Sequence, residues 1–221
     1  MGGLPRRSRP QEAAPAWRRM RALAGVLLGS LCGRRVAQAA FGGPGAASAG
    51  TLRDLQLGDA AWRTLDDGVM GGISSSTMAR AEEPGGLVMR GVVRLENNGG
   101  FASARATTAL DLSGLRGVYV DAQSAAPGSE AENSDFLLVL KDPSAARSQV
   151  TFKAKFRAGS GADGFRRTFI PFRQMVPEYR GREIDRAPLD TSNIVEVGIM
   201  AKRPDVVGEF ELRIRSIGGY E

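Results

Sequence analysis

The sequence predicts an all-β fold, an antiparallel β-sandwich or jelly roll, on three observations. Apolar and polar residues alternate along several short runs, which is the period of a strand with one buried face. No window after residue 60 spaces apolar residues at helical period over the roughly 11 to 18 residues that an ordinary helix needs. Gly, Pro and Asp punctuate the runs, and about eight short strands so separated fit two packed sheets.

Each element has its own warrant. Along Gly86 to Leu95, Leu87, Met89 and Val93 alternate imperfectly with Arg90 and Arg94. Val118 to Ala122 follows a turn at Gly117, and Phe136 to Leu140 is a continuous apolar run suited to a central strand. Val150, Phe152, Ala154 and Phe156 alternate strictly with Thr151, Lys153, Lys155 and Arg157, the clearest strand of the chain. Thr168 to Ile170 runs into Pro171, which cannot donate a ladder hydrogen bond, so this strand ends there or lies at an edge. A turn or two of helix is the most that Phe172 to Tyr179 predicts. Val195, Val197 and Ile199 supply a further strand, Pro204 to Gly208 turns, and Phe210, Leu212 and Ile214 supply the last.

The chain of 221 residues carries a net charge of +6, but that charge is localised. Residues 1–40 hold eight of the 30 basic residues and one of the 24 acidic ones, which leaves the remainder nearly neutral. A nucleic-acid partner therefore loses its electrostatic support. Arginine-rich and acid-poor, 1–40 reads as an organellar targeting peptide. Its apolar stretch from Ala22 to Gly33 falls short of the roughly 20 residues of a membrane span. Paired arginines and Ala37-Gln38-Ala39 also suit export across a thylakoid-type membrane, so two addresses stand. Residues 41–50, Gly- and Ala-rich with Pro44, read as a linker, and 51–221 as one domain.

Histidine is absent, and the single cysteine, Cys32, falls in the leader. Ser-His-Asp and Cys-His nucleophilic machinery and imidazole or thiolate zinc sites are thereby excluded from the domain.

The most specific stretch is Asp66-Asp67-Gly68-Val69-Met70-Gly71-Gly72-Ile73-Ser74, followed one strand later by Glu96-Asn97-Asn98-Gly99-Gly100-Phe101. Glycine at these positions accepts positive φ, so both stretches read as shaped loops, and shaped loops carry ligands or partners. The loops lie side by side if the run between them forms a hairpin edge. Asp66 and Asp67 suit calcium or a carboxylate pair. The plainer reading has one aspartate capping a turn and the other in water. Neither a Rossmann nor a P-loop pattern is present. Met70 suits an adaptable partner contact or a core filler, and Asn97 and Asn98 suit a sugar or a left-handed turn. Arg180, Arg182 and Arg186, interspersed with acids, read as solvated surface, and Trp62 as core.

The residues WRTLDDGVMGGIS from Trp62 to Ser74, then LENNGGFASAR from Leu95 to Arg105, resemble the complex I intermediate-associated protein 30 family. PFRQMVPEYRGR at Pro171 to Arg182, LDTSNIVEVGIM at Leu189 to Met200 and GEFELRI at Gly208 to Ile214 continue the resemblance, which covers about 52–218. It implies a galactose-binding-like jelly roll that acts without known catalysis as an assembly factor, or chaperone, for mitochondrial NADH:ubiquinone oxidoreductase. Some relatives in photosynthetic organisms are plastid proteins, so a photosynthetic-complex assembly factor is an alternative, as is a carbohydrate- or calcium-binding module.

Expected partners are complex I subunits or assembly intermediates and other assembly factors, with at most peripheral membrane contact, in the matrix at the inner membrane or else in a plastid. No catalytic residue, cofactor or metal is expected. The candidate contact residues are Asp66, Asp67, Gly68, Met70, Gly71, Gly72, Ser74, Asn97, Asn98, Gly99, Gly100, Phe101 and Arg105.

Overall fold

The computed structural model describes residues 51–82, 86–124, 135–159, 164–185 and 188–221. The leader with Cys32, the linker and Arg186 lie outside the described residues. In chain order the strands are β1 (Leu52–Asp54), β2 (Trp62–Thr64), β3 (Ser75–Arg80), β4 (Leu87–Val93), β5 (Phe101–Leu110), β6 (Gly117–Ser124) and β7 (Asp135–Lys141). A six-residue helix, α1 (Pro143–Ser148), precedes β8 (Thr151–Arg157), β9 (Arg166–Pro171), β10 (Val176–Tyr179), β11 (Arg182–Glu183), β12 (Ile194–Lys202) and β13 (Gly208–Tyr220).

The strands form two antiparallel sheets. One has the order β3-β4-β13-β6-β9, with β1 added along the end of β13, where Leu52 faces Tyr220. The other runs β11-β10-β8-β7-β12-β5-β2. As its proline predicts, β9 is the last strand of its sheet and Pro171 its last residue.

Alternation decides what enters the core. Along β8, Phe152, Ala154 and Phe156 are buried against the other sheet, as their period requires. Phe136 of β7 stacks on Phe156 within its sheet at 6.0 Å and meets Phe210 of β13, from the facing sheet, at 6.1 Å. These contacts close the two layers over one hydrophobic core.

Several elements depart from the sequence reading. The strand β5, rich in alanine, lies between β12 and β2, although alanine is a poor strand former. Its position rests on pairing along both sides and on Ala102 and Ala104, which pack into the core. A register shift between Ile194 and Glu196 puts Ile194 in the core and leaves Val195 only partly buried. Phe172 to Tyr179 holds one 3-10 turn, within the turn or two expected, and then β10, a strand not read from the sequence. In α1, Pro143 occupies the first turn and Asp142 caps it, accepting the Ala145 amide at 2.6 Å.

Candidate functional site

Two connections cross between the sheets at the same edge. Residues 65–74 lead from β2 to β3, and residues 94–100 lead from β4 back to β5. Because β3 and β4 pair as a hairpin, with Ser75 opposite Val92, the two loops lie together, as the sequence predicts.

The adjacent aspartates divide the work of holding this edge. Asp66 is extended, and its carboxylate joins the sheets: Oδ2 accepts the Ser76 amide of β3 at 2.8 Å, and Oδ1 accepts the Ser103 amide of β5 at 2.9 Å. Ser76 Oγ adds a third bond at 2.7 Å. Asp67, fully buried, joins the loops instead. Its Oδ1 accepts the Ser74 amide at 2.9 Å, while Oδ2 accepts Ser74 Oγ at 2.5 Å, the Gly100 amide at 2.7 Å and the Phe101 amide at 3.3 Å. Ser74 Oγ in turn accepts the Arg94 amide at 2.9 Å, so a relay ties β4 to the buried carboxylate.

Burial opposes ionisation of Asp67, but the bonds from Ser74, Gly100 and Phe101 outweigh it and hold the carboxyl below its ordinary range. An aspartate fixed as an anion by four donors has no proton to give and no free face for substrate. The reading of one capping and one solvated aspartate is therefore corrected: both are bound, to different partners.

The glycines make room for this carboxylate. A Cβ on Gly72 would collide with Asp67 Cγ and Oδ1, and one on Gly99 would fall 2.6 Å from Oδ2. Gly71 has φ +89, whereas Gly68 faces open space. Asn97 and Asn98 adopt φ 56 and 60, which favours their turn role.

Beside the polar Arg94, Glu96, Asn97 and Asn98, the loops expose large apolar side chains. Val69 is 68% exposed, Met70 62%, Ile73 51% and Leu95 46%. Ile73 and Leu95 flank the bonded pair Ser74 and Arg94, which brings the two loops' side chains to one rim. Met70 is thus a surface residue and not a core filler. The sequence reading passed over Val69, Ile73, Ser76 and Ser103; three large apolar residues in one glycine-rich loop were the available signal for the first two.

The remaining candidates lie elsewhere. Arg105 sits in mid-β5, buried, facing away from the core and apart from the loops. Trp62 packs against the core, its Nε1 donating to the Leu57 carbonyl at 3.0 Å. Glu178 does not solvate a charged surface but binds the buried Lys153 at 2.7 Å. Among the described residues, no three His, Cys, Asp or Glu gather as metal ligands. Among them, too, no helix is long and apolar enough to cross a membrane.

The family model of complex I intermediate-associated protein 30 matches residues 53–214. The chain belongs to this family. The match spans both crossing loops and all but the outermost ends of the sandwich, and its description links the family to intermediates of complex I. A search of curated proteins finds no match. Among solved structures, the chain is similar to the family 11 carbohydrate-binding module of a cellulosomal cellulase of Clostridium thermocellum, at 14% identity and a TM-score of 0.53. The alignment covers 78% of this chain and 95% of that one. A second structure of the Clostridium thermocellum module, in complex with a β-1,3-1,4-mixed-linked tetrasaccharide, matches at 13% identity and a TM-score of 0.53, covering 78% and 96%. At such identity the likeness shows the jelly-roll fold alone.

Proposed function

We propose that this protein is a non-catalytic assembly factor that holds intermediates of mitochondrial complex I through the apolar rim of its two crossing loops. The observation that carries the reading is that Asp67, a buried anion, fixes a loop whose Val69, Met70 and Ile73 point into water. Exposed apolar side chains on a fixed backbone favour a protein partner, because their burial drives association and the loop itself is already ordered. The family's link to complex I intermediates supplies the partner class. A leader rich in arginine supports the mitochondrial address.

The test is a Val69→Ser, Met70→Ser, Ile73→Ser triple variant expressed in place of the native chain. Its melting temperature should stay within about 1–2 °C, since exposed substitutions cost little. Complex I subunits recovered with the tagged protein should fall severalfold, and the intermediates on native gels with them. Undiminished recovery would remove the rim from the function, and a saturable melting shift with mixed-linked glucan oligosaccharides would favour a sugar-binding role instead.

A further inference from the structure

Where the hairpin of β3 and β4 turns, at its end away from the crossing loops, the six-stranded sheet bears a cavity of about 570 Å³. That volume is the size of a small-molecule site. Its wall carries four arginines, Arg80, Arg90, Arg213 and Arg215, whose side chains are 51–60% exposed, so the cavity is open to water.

An irregularity in β13 brings two of them together. Ile214 and Ile217 both enter the core, so two residues rather than one stand between them, and the register shift here adds Arg215 to the outer face that holds Arg213. Such a bulge disrupts the ladder and re-aims a side chain. Arg215 is aimed over the ring of Phe165, 3.9 Å from its centroid, in the wall of the same cavity.

The carboxylates nearby do not match the guanidinium groups one for one. Glu211 accepts both Arg90 Nε at 2.6 Å and Arg213 Nε at 2.8 Å, and these bonds, that of Arg90 foremost, hold its carboxyl below the ordinary range. Asp121 binds Arg167 at 2.8 Å, which leaves Arg215 3.9 Å away and without a hydrogen bond among the described residues. Arg80 pairs with Asp59, and among the described residues Glu82 is the one carboxylate in the wall. Five guanidinium groups thus stand against four carboxylates. Among the described residues, the Nη groups of Arg90 and Arg213 hold no hydrogen bond. Glu211 therefore orients both arginines through Nε and leaves their Nη donors unspent.

We infer that this cavity binds the phosphate group of a soluble small molecule, held by Arg90, Arg213 and Arg215. Guanidinium groups donate paired N–H bonds to phosphate oxygens, and three of them suit a doubly charged anion better than a single carboxylate. The site lies at the other end of the hairpin from the apolar rim and does not depend on the role of that rim.

Equilibrium dialysis of labelled pyrophosphate against the full chain, at constant ionic strength, tests the site. Uptake should saturate at one molecule per chain. Replacing two of the arginines, Arg213→Gln with Arg215→Gln, should weaken binding at least tenfold. Arg53→Gln, which removes an exposed cation of β1 outside the cavity, should change it less than twofold. Should the double variant not fold, phenylglyoxal labelling of the native chain decides: pyrophosphate should slow modification of Arg213 and Arg215 at least fivefold and leave Arg53 unprotected. Uptake that does not saturate, equal affinity in the double variant, or equal protection of Arg53 would overturn the site.

Discussion

Asp67 Oδ2 accepts the Gly100 amide at 2.7 Å, so a side chain from the first crossing loop takes the place of a backbone acceptor for the second. Asp67→Asn keeps the shape but turns an amide donor either toward the Ser74 amide, the partner of Oδ1, or toward the Gly100 amide and Ser74 Oγ, the partners of Oδ2. The expected loss of stability is about 2–4 kcal/mol, read from denaturant midpoints at an unchanged m-value. A variant as stable as the native chain would mean that the loops are held by other contacts.

The same carboxylate makes stability depend on acid. Its pKa is lower in the folded chain than the ordinary 3.8, so its contribution is fully present above that value and is lost as pH falls from about 4 through the depressed folded value. Denaturation curves between about pH 6 and pH 2 should show the native chain losing stability faster than Asp67→Asn, with the gap between them narrowing as pH falls. Parallel slopes would contradict the bound anion.

Three glycines of one loop should respond differently to alanine. Gly72→Ala overpacks against Asp67 and should cost about 1–3 kcal/mol or more. At Gly71 the space is open but φ is +89, so Gly71→Ala should cost about 1–2 kcal/mol through strain, and Gly71→Val more. Gly68→Ala should fall within about 0.5 kcal/mol of the native chain. Equal effects at all three, in thermal melts, would refute the geometry.

Gly198 and Arg105 should be coupled. Gly198→Ala collides with the arginine stem and should cost about 1–3 kcal/mol; made in an Arg105→Ala background it should cost at least about 1 kcal/mol less. Additive losses would show that the guanidinium does not lie across the glycine.

Much of the sandwich was legible because burial leaves a period. The strict alternation around Phe152, Ala154 and Phe156 predicts β8 and its inner face, and Pro171 predicts an edge strand. The strand β5 was not legible, since Ala102, Ala104 and Ala106 owe their place to ladders on both sides rather than to their own preference. The loops were legible from glycine, but not their chemistry. Asp66 reaches Ser103 and Asp67 reaches Gly100, more than thirty residues on, and only the fold chooses such partners. Arg105 shows the same limit: the sequence marks it beside a motif, while its burial over Gly198 depends on the register of β5 against β12.

The short ladder between β1 and β13 sets how the domain responds to force. Leu52 faces Tyr220 and Asp54 faces Gly218, so the chain enters and leaves the sheet at neighbouring points. Tension applied at residues 51 and 221 would load the three facing pairs one after another, peeling β1 away, rather than shearing them all at once. A pull on the ends thus frees this strand before it strains the loop edge where Asp67 sits.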